Sequence, residues 1–329
     1  MKKDKLLTIS IAAYNSESFI KKCIDSCIIN DYIDDLEIIV INDGSKDKTR
    51  DIVQWYVDHY PESIVLINKE NGGYGTTINS SLAIATGKYF KLLDSDDWFE
   101  KDGLKKLIDL LRTGISVDWI ISDIIIVEGD KDSIHRARSD YSNYNKILKV
   151  KNCDPHDCEP GMWYSTFKTE LLKQYMVELP SKRLYLDTVF VARALQHVES
   201  VYYLNSVIYC YLKGLSFQSS SKESKKRHFN DYYEAYNDIL AIAASSDLDC
   251  HPALIQRFSY SYGALIDRVL LLDPSHNNKK LIRMIDEQLL KQSKKLFDYV
   301  ESKPGGRKVR LLRRSRYSLY WLIRLFMCR

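Results

Sequence analysis

Residues 87–100 read GKYFKLLDSDDWFE. An apolar run from Tyr89 to Leu93 ends in four acids, Asp94, Asp96, Asp97 and Glu100, before a helical pattern begins at Lys101. Three aspartates within four residues repel one another, and a carboxylate drawn out of water needs a compensating partner. Two partners fit. Acids just ahead of a helix cap its free N–H groups and meet the positive end of its dipole. Carboxylates one residue apart at a strand end can instead point into one pocket and hold a divalent cation through hard oxygen ligands. An isolated D-x-D-D favours the cap. Company on the same edge of the sheet decides the matter.

Outward from this stretch, strand and helix patterns alternate. Apolar, β-branched runs at 6–12, 37–41, 63–67, 89–93 and 118–127 predict strands. Helical spacing at 16–29, 47–59, 76–85 and 101–112 predicts helices, with Ser16 as an N-cap and Gly87 as a stop. Strand–helix units joined by short loops predict an α/β fold, a doubly wound, mostly parallel sheet flanked by helices. Ligands of such sheets sit beyond the carboxyl ends of the strands. That rule gathers AAYNSE (12–17), NDGSKD (42–47) and DSDDW (94–98) onto one rim. After about residue 130 the pattern is less regular, with apolar segments at 184–195 and 201–212, and residues 222–300 read as a helical bundle. The expected divisions are 1–220, 221–303 and 304–329.

Other readings lose ground. No G-x-G-x-x-G follows the first strand and no G-x-x-x-x-G-K-[ST] occurs, which removes the usual warrant for dinucleotide and P-loop sites. The loop GGYG (72–75) serves equally as a turn or as a close approach to phosphate. A composition of 45% hydrophobic and 28% charged residues is that of an ordinary globular chain of 329 residues. The 23 tyrosines suit half-wet sugar or peptide surfaces. Seven scattered cysteines indicate reduced thiols in a cytosol. Cys153, His156 and Cys158 lie close together, but no second ligand pair follows, which argues against zinc. The N-terminal MKKDKLLTISIAAYN has too short an apolar run for a signal peptide and reads as the first strand.

Three motifs in order resemble a known family. ISIAAYNSE (9–17), IIVINDGSKDKT (38–49) and the block from Asn71 to Phe99 are similar to the motifs of bacterial family 2 glycosyltransferases with the GT-A fold, over about residues 5–220. Ala12 stands where that family commonly has proline. The resemblance implies nucleotide-sugar contacts from Ala13, Tyr14, Glu17, Asp43, Gly73, Asn79, Asp94, Ser95 and Asp96. Tyr14 would stack on uracil, and Asp43 would accept a hydrogen bond from the base. Asp94 and Asp96 would hold ribose, diphosphate and Mg²⁺ or Mn²⁺, with Asp96 the more direct metal ligand and Asp97 a helix cap. RLYLDTVFVARAL (183–195) resembles the family's base segment and makes Asp187 the general base. Leu186 replaces the Glu of the usual Glu-Asp pair, and Asp187 also suits an N-cap. YCYLKGLSFQSSS (209–221) resembles a lid: Tyr211, Gly214, Gln218 and Ser219 agree with the pattern, while Cys210, Leu215 and Phe217 depart from it. Lys213 or His228 would meet phosphate. EPGMWYSTFKTELL (159–172) resembles an acceptor-side loop in which Trp163 is a sugar platform or a core residue.

The last 29 residues carry nine Lys/Arg and one acid, so the +4 of the whole chain is a +8 tail on a −4 body. On a helical wheel Leu311, Leu312, Leu319, Leu322, Ile323 and Phe326 share one side. Arg310, Arg313, Arg314 and Arg324 lie roughly opposite. An amphipathic helix on an anionic lipid surface is expected, ahead of a docked core helix, and a nucleic-acid patch is the weakest reading. Family and tail together imply a cytoplasmic, metal-dependent inverting transferase peripheral to the membrane. It would move a hexose or N-acetylhexosamine from a UDP-sugar to a lipid-linked saccharide in capsule, exopolysaccharide or wall-polymer assembly, with no nucleic-acid partner. The rivals are a protein acceptor, a catalytically silent sugar-nucleotide-binding scaffold and a nucleotidyltransferase.

Overall fold

The computed structural model describes residues 4–129, 131–135, 143–155, 160–215, 218–219, 221–303 and 306–327. The first strand, β1 (Leu7–Ala13), is buried along almost its whole length, as a strand covered on both faces must be. Its two polar residues are satisfied within the fold: Thr8 Oγ1 donates to Glu37 at 2.6 Å and Ser10 Oγ to Ser81 at 2.6 Å. There follow α1 (Ile20–Cys27), β2 (Leu36–Asn42), α2 (Thr49–His59), β3 (Ile64–Asn68), α3 (Tyr74–Ile84) and β4 (Tyr89–Asp94). The next elements are β5 (Trp98–Phe99), α4 (Lys101–Arg112), β6 (Trp119–Glu128), β7 (Lys131–His135), β8 (Ile147–Lys149), β9 (Ser165–Lys168), α5 (Thr169–Tyr175), α6 (Leu186–Leu195) and β10 (Ser200–Leu212).

The sheet runs β3-β2-β1-β4-β9-β6-β10-β5, with β7 on β6 and β8 on β10. The first four strands are parallel, as are β6 and β10. One feature departs from simple strand–helix alternation. Between β4 and β6 lies the short β9, antiparallel to both. Its four residues, STFK, carry too little periodicity to declare a strand. Helix α4 packs backbone to backbone on β10, because a Cβ on Gly103 would lie 1.7 Å from the Val207 carbonyl oxygen.

The helical region comprises α7 (Lys222–Arg227), α8 (Phe229–Ala244), α9 (Pro252–Leu271), α10 (His276–Gln292) and α11 (Lys294–Ser302). Pro252 opens α9 where its missing N–H costs nothing. Fourteen of the twenty residues of α9 are buried, which marks it as the central helix of the region. Helices α8 and α9 pack on α6, so one hydrophobic core runs from the sheet into the bundle.

The tail corrects the wheel. It forms two helices, α12 (Arg307–Arg314) and α13 (Tyr320–Met327), broken by a turn in which Arg316 and Tyr317 have positive φ. Val309, Leu312 and Tyr320 are buried. Arg313 turns inward onto Asp286 at 2.7 Å, and Arg324 donates to the carbonyls of Leu270 and Leu272. The continuous stripe is lost because buried acid and free carbonyls in the bundle offer arginine better partners than water does. Leu311, Trp321, Leu322, Leu325 and Phe326 remain exposed. Among the described residues no helix is long and apolar enough to cross a membrane.

Candidate active site

A cleft of about 950 Å³ opens at the carboxyl ends of the parallel strands, walled on its other side by α6, α7, α8 and α9. It is lined by Ala13, Tyr14, Asp43, Gly73, Asp94, Ser95, Asp96, Trp163, Asp187, Gln218 and Ser219 among others. The rim predicted from three separated loops is therefore real.

The acids are held differently from one another. Asp94 accepts from the Tyr74 hydroxyl at 2.8 Å, and its own N–H donates to Tyr209 Oη at 3.1 Å. Asp96 accepts from Gln218 Nε2 at 3.0 Å. Asp97, 1% exposed, accepts from Tyr209 Oη at 2.6 Å and from the Leu212 N–H at 2.8 Å. It caps no helix. Glu100 stands at the N-cap of α4 without a side-chain bond, and Asp97 instead ties the end of β4 to β10. Burial first and then Asp96 push Asp94 up to about 7, and burial pushes Asp97 well above the usual carboxylate range. Carboxylate oxygens of the three lie within 4.8 Å of one another. Among the described residues none has a cationic partner, which is the donor set and charge deficit that suit a hard divalent ion.

Asp43 organises the glycine loop. Its carboxylate accepts from Gly72 N–H (2.9 Å), Gly73 N–H (2.8 Å) and Lys69 Nζ (2.6 Å). Three of its roughly four acceptor positions are thus used within the chain. Gly73 has φ +83°, a conformation few side chains adopt, and it delivers its N–H to Asp43 there. Tyr14 is 52% exposed at the cleft wall, free to stack. Ser95 is bonded to Ser16 at 2.7 Å.

Asp187 lies in the first turn of α6, after Tyr185 at φ 63°. Burial raises its pKa, while Arg257, the N–H groups of Thr188 and of Asp187 itself, and Arg268 oppose the shift. It is at once a first-turn acid and a cleft residue. Trp163 also lines the cleft, stacked on Tyr211 with centroids 4.8 Å apart, and its indole N–H is buried without an acceptor.

Three predicted residues are not brought to the cleft wall. Glu17 accepts from the Lys48 N–H at 2.9 Å and steadies the loop ahead of α2. Asn79 clamps Leu179, donating to its carbonyl at 2.8 Å and accepting from its N–H at 3.0 Å. Lys213 pairs with Glu128 at 3.3 Å. His228 does line the cleft, bonded to Asp231 at 3.1 Å. His156, Cys158, Phe217 and Cys328 lie outside the described residues, and the buried Cys153 thiol donates to the Lys149 carbonyl at 3.7 Å. Sequence reasoning missed Tyr74, Tyr209 and Arg268, since nothing local shows that β10 returns beside β4 or that α9 reaches the cleft.

A parallel rim with clustered aspartates, faced by a further acid on a helix, is the arrangement of the GT-A class. The profile of Glycosyl transferase family 2 matches residues 8–174, and the chain belongs to that family. MG025 of Mycoplasma genitalium, an uncharacterized glycosyltransferase, is 31% identical over 204 residues, 60% of this chain. The match spans 65% of that relative's length, short of two thirds. In fold the chain is similar to S. aureus TarS 1–349 in complex with UDP-GlcNAc (TM-score 0.59, 19% identity, 94% of this chain and 92% of that one). It is also similar to the mannosyltransferase PcManGT of Pyrobaculum calidifontis in complex with GDP-Man and Mn²⁺ (TM-score 0.54, 17% identity, 89% and 82%).

Proposed function

We propose that this glycosyltransferase performs a metal-dependent, inverting transfer of a hexose or N-acetylhexosamine from a UDP-sugar to an acceptor hydroxyl. The observation that carries the reading is one cleft holding Asp94 and Asp96 on the strand rim and Asp187 on the helical wall. Tyr14 stacks on the base, Asp43 shapes the loop beside it, and Ser95 and Ser16 border the ribose and diphosphate. Asp94 and Asp96 would hold Mg²⁺ or Mn²⁺, which neutralises a departing diphosphate. Asp187 takes the proton of the acceptor hydroxyl. The acceptor oxygen bonds to the anomeric carbon as the bond from that carbon to the diphosphate breaks, and the electron pair leaves with the diphosphate. Burial, which raises the pKa of Asp187, makes it the stronger proton acceptor. The UDP-GlcNAc and Mn²⁺ named for the two structural neighbours support this donor and metal class.

The acceptor in this reading is a lipid-linked saccharide, met at the cytoplasmic face of the membrane. Exposed Trp321, Leu322, Leu325 and Phe326 beside a basic tail support contact with anionic lipid. Flotation of the full chain with phosphatidylglycerol vesicles tests it. W321S/F326S should reduce flotation, and equal flotation would end the membrane assignment.

For the chemistry, the full chain is incubated with a panel of UDP-sugars with and without Mn²⁺, and released UDP is measured. Slow hydrolysis of one donor, abolished by chelation and by Asp96→Ala, is expected. UDP binding without turnover from any donor, unchanged by Asp187→Asn, would favour a silent scaffold instead.

A further inference from the structure

The helical wall of the cleft carries positive charge that, among the described residues, no ion pair neutralises. Arg268 of α9 and Lys225 of α7 both line the cleft, together with Asp187 and Thr188 of α6. Arg268 is 7% exposed. Its guanidinium lies 3.6 Å from the Tyr232 ring centroid and 4.8 Å from that of Tyr185. One Nη1–H donates to the Ala264 carbonyl at 3.2 Å, and Nε is buried with no acceptor. Several acids of these helices are taken: Asp231 by His228, Glu234 and Asp238 by Arg183, Asp267 by Lys308, Asp273 by Lys226. Among the described residues no carboxylate pairs with Arg268 or Lys225.

A guanidinium nine-tenths buried without a counter-charge is costly, and two aromatic faces offset only part of that cost. A structural arginine in the same bundle, Arg313, has its full ion pair with Asp286 at 2.7 Å. Arg268 differs in opening onto a cleft. Its charge is felt by Lys225, whose pKa falls through burial and then through Arg268, and by Asp187. Tyr185, whose ring meets the Arg268 guanidinium at 4.8 Å, is the N-cap residue of α6 and stands two residues before Asp187, so the surplus charge borders the helical wall that carries Asp187.

We propose that Arg268 and Lys225 form an oxyanion subsite for the acceptor, which carries a phosphate ester or a carboxylate close to the hydroxyl that is glycosylated. The planar fork of Arg268 matches either group, and Lys225 adds a mobile point charge. This rests on the reading of Asp187 as the base. The donor diphosphate is the other source of the same chemistry, and the experiment separates the two.

The full chain is saturated with UDP and Mg²⁺ and then titrated by calorimetry with methyl phosphate and, separately, with acetate at constant ionic strength. At least one should bind the UDP-loaded protein. Arg268→Gln should weaken that binding about tenfold and Lys225→Gln several-fold, with UDP affinity within twofold of wild type. Competition between the anion and UDP, or a tenfold loss of UDP affinity in Arg268→Gln, would assign the arginine to the donor and overturn the proposal. So would anion binding unchanged in Lys225→Gln and in the folded fraction of Arg268→Gln, or UDP binding with no anion binding at all. Failure of the wild type to bind UDP would remove the transferase reading itself, and the subsite with it.

Discussion

A buried acid in the helical bundle can be compared with the half-buried to buried acids of the sheet rim. In the helical bundle Asp286, 2% exposed, accepts from Arg313 at 2.7 and 3.2 Å, from Tyr262 at 2.5 Å and from Tyr317 at 2.6 Å. On the sheet rim Asp94, Asp96 and Asp97 receive hydroxyls, an amide and a backbone N–H and, among the described residues, no cation. A carboxylate kept for architecture comes with its counter-ion. A carboxylate kept for a ligand is left short of one, and for Asp94 burial and then the charge of Asp96 push the pKa upward. The largest expected effects follow from this contrast. Asp96→Ala should lower metal-dependent UDP release about 10²–10³-fold with little change in Tm, because the repulsion it relieves offsets the lost hydrogen bond from Gln218. Asp286→Ala should do the reverse. It strands Arg313 inside the bundle at a cost of about 3–5 kcal/mol, visible in urea unfolding, while UDP affinity of the folded protein stays constant. A large stability loss in Asp96→Ala would break the comparison.

Lys91 sharpens it from the other sign of charge. It is 1% exposed in the centre of the sheet, and its ammonium donates to the carbonyls of Trp163 and Ser165, both at 3.1 Å, and lies 5.9 Å from the ring centroids of Phe99 and Tyr209. Burial lowers its pKa from the ordinary lysine value to about 7. Between about 7 and 10.5 the unfolded chain therefore binds a proton that the folded chain does not. This lysine makes stability rise with pH through that window, by at most about 1.4 kcal/mol per unit. Below pH 7 its full penalty is present. Denaturant titrations from pH 6.5 to 9.5 should show that slope in wild type and a flatter one in Lys91→Met. Identical slopes would mean that the two carbonyls compensate the charge completely.

The rim was legible because its signals are local: an apolar strand, a polar loop, then a helix, repeated. Asp43, Asp94 and Asp96 each end or follow such a strand, and topology alone brings them together. What escaped depends on pairing across long separations. Asp97 looks like a helix cap until Tyr209 is placed beside it, 112 residues later in the chain. Helix α9 reads as part of a helical bundle, which it is, and only packing shows that Arg268 on it reaches the cleft. The tail's wheel failed for the same reason. Its periodicity was real, but Asp286 and the carbonyls at the end of α9 turned two arginines inward.

Glu17 carries the smallest expected effect and separates motif from contact. It lies in the loop whose resemblance implied a nucleotide contact, yet its carboxylate meets the Lys48 N–H in an exposed position, while its own N–H donates to Asp47 at 3.0 Å. The pair links the loop after β1 to the loop after β2, so Glu17 positions Tyr14 and Asp43 without lining the cleft. Glu17→Gln keeps an acceptor oxygen for Lys48 and loses only charge. Stability should change by about 0.5 kcal/mol or less, and calorimetric UDP affinity should stay within twofold. A tenfold fall in UDP affinity at unchanged Tm would show that the carboxylate swings into the cleft when nucleotide binds, and that the resemblance located it better than the unliganded geometry does.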